Sequence, residues 1–266
     1  MFTDHELDST LAAVREQHAP GAVVLNAEQD FETLDPAVAE QLGLRADALN
    51  LFQYDSGWVP EDAPDTLHEL AGDAFTVGAP GDGGVTWTRQ TDPPFVFIKP
   101  RTTGSPDGFV DFLIATALVE IGTGVPEQFL GFFGARYREF HERSPLSPVD
   151  TYQLAAALYE AYKGVHTRDT FAGWADEHPE LHAQWVDAGE RLKPRLDSLS
   201  TELARNQTSF AAAAELACAA VKHAGEGGIE LPAPFSALAT AAYADHGSEY
   251  ALQWATRTFD ALGVED

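Results

Sequence analysis

Cysteine is almost absent from this chain of 266 residues, in which Cys218 is the only one. A single cysteine excludes both an intramolecular disulfide and a zinc site built from several thiolates. The first residues lack the basic flank and the apolar run of a secretory signal. The sequence therefore predicts a cytoplasmic protein.

Basic residues are also scarce, with 16 against 42 acidic residues and a formal charge of -26. This excess repels phosphates over most of the surface, which excludes general nucleic-acid binding. Few lysines combined with many acids are typical of haloarchaeal proteins, because at ~1 M salt the Debye length is about 3 Å and the charges are screened. We interpret most of the charge as adaptation to salt, with an acidic partner-binding face as the alternative. The four lysines are Lys99, Lys163, Lys193 and Lys222.

Long apolar runs are missing as well. The longest near-apolar stretch, residues 109–121, is interrupted by Asp111 and Glu120 and is shorter than the ~20 residues that cross a bilayer. We expect no membrane span, and we expect this stretch to form a helix at the centre of the fold.

The hydrophobic pattern changes near residue 104 and predicts an α+β protein. Short apolar runs at 22–26, 75–77, 85–88 and 95–98 predict a small, mainly antiparallel sheet with helices in residues 1–103. Residues 104–266 predict a larger all-helical region, in which one alanine-rich helix ends before Gly164. The loop between the two regions is short, so we expect them to pack together as one body.

The segment Ile-Lys-Pro-Arg-Thr-Thr-Gly at residues 98–104 follows the last predicted strand. Together with the acid excess and the short N-terminal sheet, it makes the whole chain resemble an uncharacterised haloarchaeal protein family. That resemblance implies an archaeal cytoplasmic protein of unknown function, and it brings no catalytic residues with it.

Charge is distributed unevenly along the chain. Residues 89–143 contain six basic and seven acidic residues, a net charge of -1, whereas the rest of the chain carries -25. Cations that lie close together usually have partners, which are either internal carboxylates or an external anion. This balanced segment is therefore the predicted functional region.

An anion site is the most concrete hypothesis within that segment. Residues 99–105 leave a strand and enter a helix, whose first N–H groups are unpaired and favour a phosphate, sulfate or carboxylate. The alternative is that Ser105 only caps the helix and that Arg101 pairs with Asp107 or another carboxylate. The predicted anion-binding residues are Lys99, Arg101, Thr102, Thr103 and Ser105, joined by Arg136 and Arg138 if the next helix folds back beside the turn.

A histidine pair provides the alternative chemistry. His178 and His182 lie four residues apart, so a helix places both on one side, where they could hold a divalent metal with further ligands from His141, His166 or His223. Pro179 follows the first histidine where the metalloprotease motif requires glutamate. An exposed pair at a helix start is the other interpretation.

These observations favour a non-catalytic binding or interaction protein that uses residues 89–143. The alternative is an enzyme, a metal-dependent hydrolase that uses the helical histidine pair. We expect no cofactor, and the expected partner is either a protein or a small anionic ligand.

Overall fold

The structure is a computed structural model that describes residues 2–72, 74–78 and 83–262, without the side chain of Leu262. Six strands and ten α-helices form its regular elements, joined by short 3-10 turns. The strands are β1 Phe2–Asp4, β2 Val23–Ala27, β3 Ala48–Leu49, β4 Val85–Thr88, β5 Thr91–Asp92 and β6 Phe95–Ile98. The helices are α1 Ser9–His18, α2 Pro36–Gly43, α3 Asp65–Leu70, α4 Asp107–Thr123, α5 Phe129–Phe133, α6 Arg136–Arg143, α7 Pro148–Glu177, α8 Pro179–Ala204, α9 Phe210–Ala219 and α10 Ala241–Leu262.

The predicted fold class is confirmed: a small N-terminal sheet is followed by a larger helical region. The main sheet has the order β1-β2-β6-β4, and a second sheet pairs β3 with β5. Two pairings in the main sheet are antiparallel, whereas β2 and β6 run parallel, with Val23 opposite Phe95. The strand expected at 75–77 is absent there, because Thr76 makes only an isolated bridge to Thr33.

Strand β6 separates two apolar cores, because successive side chains of a strand point to opposite faces. Phe95 and Phe97 pack in a core with β1, β2 and α2, whereas Val96 and Ile98 pack in a core with α1, α4 and α8. This second core contains residues from both sides of position 103. The domain boundary at 103 itself stays a prediction.

Helix α4 lies at the centre, as its apolar sequence predicts. It packs against α1, β4, α7 and α8. The contact with α1 is so close that a Cβ on Gly122 would lie 2.4 Å from the carbonyl oxygen of His18. Only a glycine fits this crossing without a shift of the backbone.

The long helix α7 organises the C-terminal region and corrects one expectation. It runs for 30 residues and does not end at Gly164. Gly164 is instead a contact point, since a Cβ there would lie 2.9 Å from the backbone nitrogen of Lys222. The glycine allows the 3-10 turn Val221–His223 to pack against α7. Within the described part of the chain, no helix combines the length and apolar character that a bilayer span requires.

Candidate functional site

The cations predicted to bind an anion contact the protein itself. The side chain of Lys99 is fully buried, and its Nζ lies 5.3 Å from the ring centre of Phe31. Arg101 forms an ion pair with Asp30, in which Nε and Nη2 lie 2.8 and 2.6 Å from the same Oδ2. The hydrogen bond from Arg101 lowers the pKa of the Asp30 carboxyl. An anion at this turn would have to replace the Asp30 carboxylate.

The hydroxyl groups of the turn are arranged differently from the predicted cradle. Thr102 Oγ1 donates to the carbonyl of Lys99 at 2.8 Å, and Thr103 is exposed. The expectation that Ser105 caps helix α4 is wrong, because Pro106 occupies the cap position and the helix has no side-chain cap. Its first turn already carries the negative charge of Asp107. Anion binding at this turn therefore stays a prediction.

The two predicted arginines of α6 lie on a different surface. Arg138 donates from Nε to the carbonyl of Gly57 at 2.6 Å and from Nη2 to that of Val59 at 3.2 Å. Arg136 is exposed on the same helix. Helix α6 packs against Ser56–Trp58, α5, α7 and α10. The guanidinium of Arg138 thus fixes the 56–59 loop.

The histidine pair lies at the junction of two helices. His178 separates α7 from α8, and the backbone N–H of His182 donates to its carbonyl at 3.0 Å. The rings of both His182 and His223 pack against Trp185, at centroid distances of 5.5 and 5.7 Å. Among the described residues, no group of three or more histidine, cysteine or carboxylate side chains is placed to hold a metal ion.

A cavity of about 600 Å³ lies between β4, α4, α7 and α9. Its size is within the range of small-molecule sites. Aromatic and aliphatic side chains line much of the wall, and six charged residues lie among them. The aromatic residues are Trp87, Phe129, Tyr152 and Tyr159, and the charged residues are Glu120, Glu127, Glu160, Lys163, Glu215 and Lys222.

One wall of the cavity is a chain of charge-assisted contacts. Trp87 Nε1 donates to Glu120 Oε2 at 2.7 Å, and Lys163 Nζ lies 3.5 Å from the same oxygen. Lys163 also pairs with Glu160 at 2.6 Å, and it lies over the ring of Tyr159. Burial opposes the ammonium charge, but Glu120 and Glu160 raise the pKa of Lys163 well above its usual value. Lys163 is therefore a permanent cation.

Glu127 forms the most unusual part of the wall, since its side chain is buried with only 5% exposure. Its Oε2 accepts from the backbone N–H of Arg89 at 2.8 Å, and its Oε1 accepts from Gln90 Nε2 at 2.9 Å. The hydroxyl of Thr88 is a third partner. No cation of the described chain lies within ion-pair distance of this carboxylate. Burial raises its pKa from 4.5 to about 7, against the opposing effects of these hydrogen bonds and of the positive charge of Arg89.

A buried polar network holds Glu127 in place. Gln90 Nε2 also donates to the carbonyl of Thr76 at 2.9 Å, and Gln128 Nε2 donates to the same carbonyl at 2.8 Å. The Oε1 atom of Gln90 accepts from the N–H of Phe52 at 3.0 Å. Four separate segments of chain therefore meet behind the carboxylate, which makes its position rigid.

The sequence analysis predicted the segment that contains part of this site, but it did not identify the individual residues. Glu120 and Glu127 lie inside the predicted segment 89–143, and Glu120 was visible as an interruption of an apolar helix. Lys163 lies outside that segment, and the one available signal was that it is among only four lysines. The lysine, the two glutamates and Trp87 converge only through the packing of β4, α4 and α7.

Comparison with known proteins shows the family of the chain and no more. No curated protein matches it, and no solved structure matches it. A family model matches residues 1–262, nearly the whole chain. The chain therefore belongs to DUF7089, a family of unknown function.

Proposed function

We propose that this protein binds a small organic molecule in the cavity between β4, α4, α7 and α9, and that it acts by binding and not by catalysis. The observation that carries this proposal is a cavity of about 600 Å³ with a buried, unpaired carboxylate, Glu127, in its wall. The predicted segment 89–143 contributes Glu120, Glu127 and Phe129 to the wall.

The buried charge of Glu127 supports a ligand. Burying a charge without an ionic partner costs several kcal/mol, even with hydrogen bonds. A ligand that pairs with this group in the folded protein offsets that cost, because binding to the folded state alone stabilises it.

The state of Lys163 favours binding over covalent catalysis. A lysine acts as a nucleophile in its neutral form, usually when desolvation lowers its pKa. Here the carboxylates of Glu120 and Glu160 raise the pKa and hold the ammonium in place. The group can orient a ligand or balance its charge, which is the chemistry of a binding site.

A cavity-filling variant tests the proposal. A thermal-shift panel of cationic, neutral and anionic organic compounds should contain some that raise the melting temperature of the wild-type protein. Ala156→Phe places a ring in the cavity and should abolish those shifts. Ala172→Phe is the matched control on the same helix, because Ala172 lines a different depression, and it should retain them. Absence of any shift, or equal loss in both variants, would contradict the proposal.

We also infer that the protein works in the salt-rich cytoplasm of haloarchaea. The formal charge of -26 and the low lysine content support this inference. The alternative of a metal-dependent hydrolase rests on His178 and His182 alone. The ring of His182 packs against Trp185, and this contact accounts for its position without a metal ion. We therefore do not advance it as a second function.

A further inference from the structure

The charges around the cavity are unbalanced. Among the described residues, four carboxylates and two ammonium groups line it, which leaves an excess of two negative charges when all are ionised. Lys163 already pairs with Glu120 and Glu160. Lys222 forms no ion pair with another described residue, but the described lining as a whole stays negative, so an anion would meet a net negative potential.

The partners of Glu127 are the second observation. Its hydrogen-bond donors are a backbone N–H, an amide and a hydroxyl, and none of them carries a charge. The guanidinium of Arg89 lies over the ring of Trp87 instead, and it donates to the carbonyl of Val125. A carboxylate bonded in this way is held in one orientation without an ion pair, and the charge of Arg89 compensates it only in part.

Aromatic rings close to the carboxylates are the third observation. Phe129 and Tyr152 have ring centres 5.4 Å apart, and both line the cavity together with Trp87 and Tyr159. Aromatic faces attract cations and also pack against apolar groups. Two of these rings already bear a cation of the protein, Arg89 on Trp87 and Lys163 on Tyr159.

We propose that the ligand is an organic cation, an amine with an apolar body, whose ammonium group pairs with Glu127 and whose body packs against Phe129 and Tyr152. This inference rests on the proposed function, because it names the class of ligand that occupies the same cavity. A neutral ligand would leave the charge of Glu127 unpaired, and an anionic ligand would add to the negative excess.

Three probes of similar size and different charge test the ligand class. Calorimetry should show that 2-phenylethylamine binds, that 2-phenylethanol binds at least about tenfold more weakly, and that 3-phenylpropionate does not bind. Glu127→Gln should weaken amine binding at least about tenfold, whereas Glu142→Gln, which changes an exposed carboxylate on α6, should not. Melting curves of both variants show whether they fold.

Proton release is an independent readout, because an ammonium ion binds the ionised carboxylate. With the pKa of Glu127 near 7, amine binding at pH 7 should release roughly half a proton, and alcohol binding should release none. The titratable groups that face Glu127 are Tyr54, Arg89 and Tyr159. Burial raises the pKa of both tyrosines, so neither contributes a proton near neutral pH.

The possible failures are distinguishable. If the alcohol or the carboxylate probe binds as tightly as the amine, the assignment of a cation is wrong while ligand binding in the cavity stands. If the amine does not bind the wild-type protein, the assignment is also wrong, and the Ala156→Phe comparison decides separately whether the cavity binds anything.

Discussion

The buried carboxylate of Glu127 should make the stability of the ligand-free protein fall as the pH rises. Burial raises its pKa in the folded chain from 4.5 to about 7. Between these values the folded chain keeps a proton that the unfolded chain has released. The free energy of unfolding therefore decreases with rising pH through this window, and the loss is complete above pH 7.

The full difference between 4.5 and about 7 corresponds to about 3 kcal/mol. Between pH 5 and pH 8 the wild-type protein should lose about 2 to 3 kcal/mol relative to Glu127→Gln, which carries no ionisable group at this position. Glu127 is almost fully buried, so solvent screening does little to reduce this value.

Urea unfolding of both proteins at constant KCl, from pH 5 to pH 8, measures this difference. Burial lowers the pKa of His18, His166 and His223, which adds a pH dependence of its own, but these residues are common to both proteins, so their effects cancel. In Glu127→Gln the new amide nitrogen faces either the N–H of Arg89 or the amide nitrogen of Gln90, both of which are donors, so the substitution adds an offset in stability that does not depend on pH. A difference between the two proteins that stays flat across the range would refute the assignment of a buried carboxylate without an ion pair.

Three further predictions concern the fold, the solvent and the anion hypothesis. Gly122→Ala should cost about 1 to 3 kcal/mol of unfolding free energy, because its Cβ would meet the carbonyl of His18. Gly173→Ala should be neutral or stabilising, because nothing lies within 4 Å of a Cβ at that position. Equal effects of the two substitutions would contradict the close helix contact. The melting temperature should rise between ~0.1 M and molar KCl as screening increases, and an unchanged value would contradict adaptation to salt. If the turn after β6 binds phosphate, Asp30→Asn should strengthen that binding in calorimetry, because the substitution removes the carboxylate that Arg101 contacts. Absence of phosphate binding by both the wild-type protein and Asp30→Asn would contradict the anion hypothesis.

Much of the fold was predictable because it depends on local patterns. Helix α4 is apolar on nearly all faces and is largely buried from Phe112 to Ile121, and β4 and β6 follow runs of β-forming residues. The parallel pairing of β2 with β6 was not predictable, because no local signal specifies which distant strands pair. Gly164 was misinterpreted for a related reason. A glycine near the end of an apolar pattern indicates either a helix end or a close contact, and the partner that decides between them, Lys222, is distant in sequence.

The charge-balanced segment, residues 89–143, also shows that the sequence does not specify contacts between distant residues. Its balance predicts that the cations have partners, but composition does not identify those partners. Arg101 binds Asp30, which lies 71 residues earlier, and Arg138 binds backbone carbonyls near Trp58. Glu127 is a buried acid that forms no ion pair with a described residue, and its burial depends on four segments that only the folded chain brings together.

The structure of the protein crystallised with saturating 2-phenylethylamine tests the central claim most directly. The account predicts that the amine lies in the cavity, with its nitrogen within about 3.2 Å of a carboxylate oxygen of Glu127 and its ring against Phe129 and Tyr152. An empty cavity, or an amine bound with its nitrogen at the mouth beside Glu215, would contradict it.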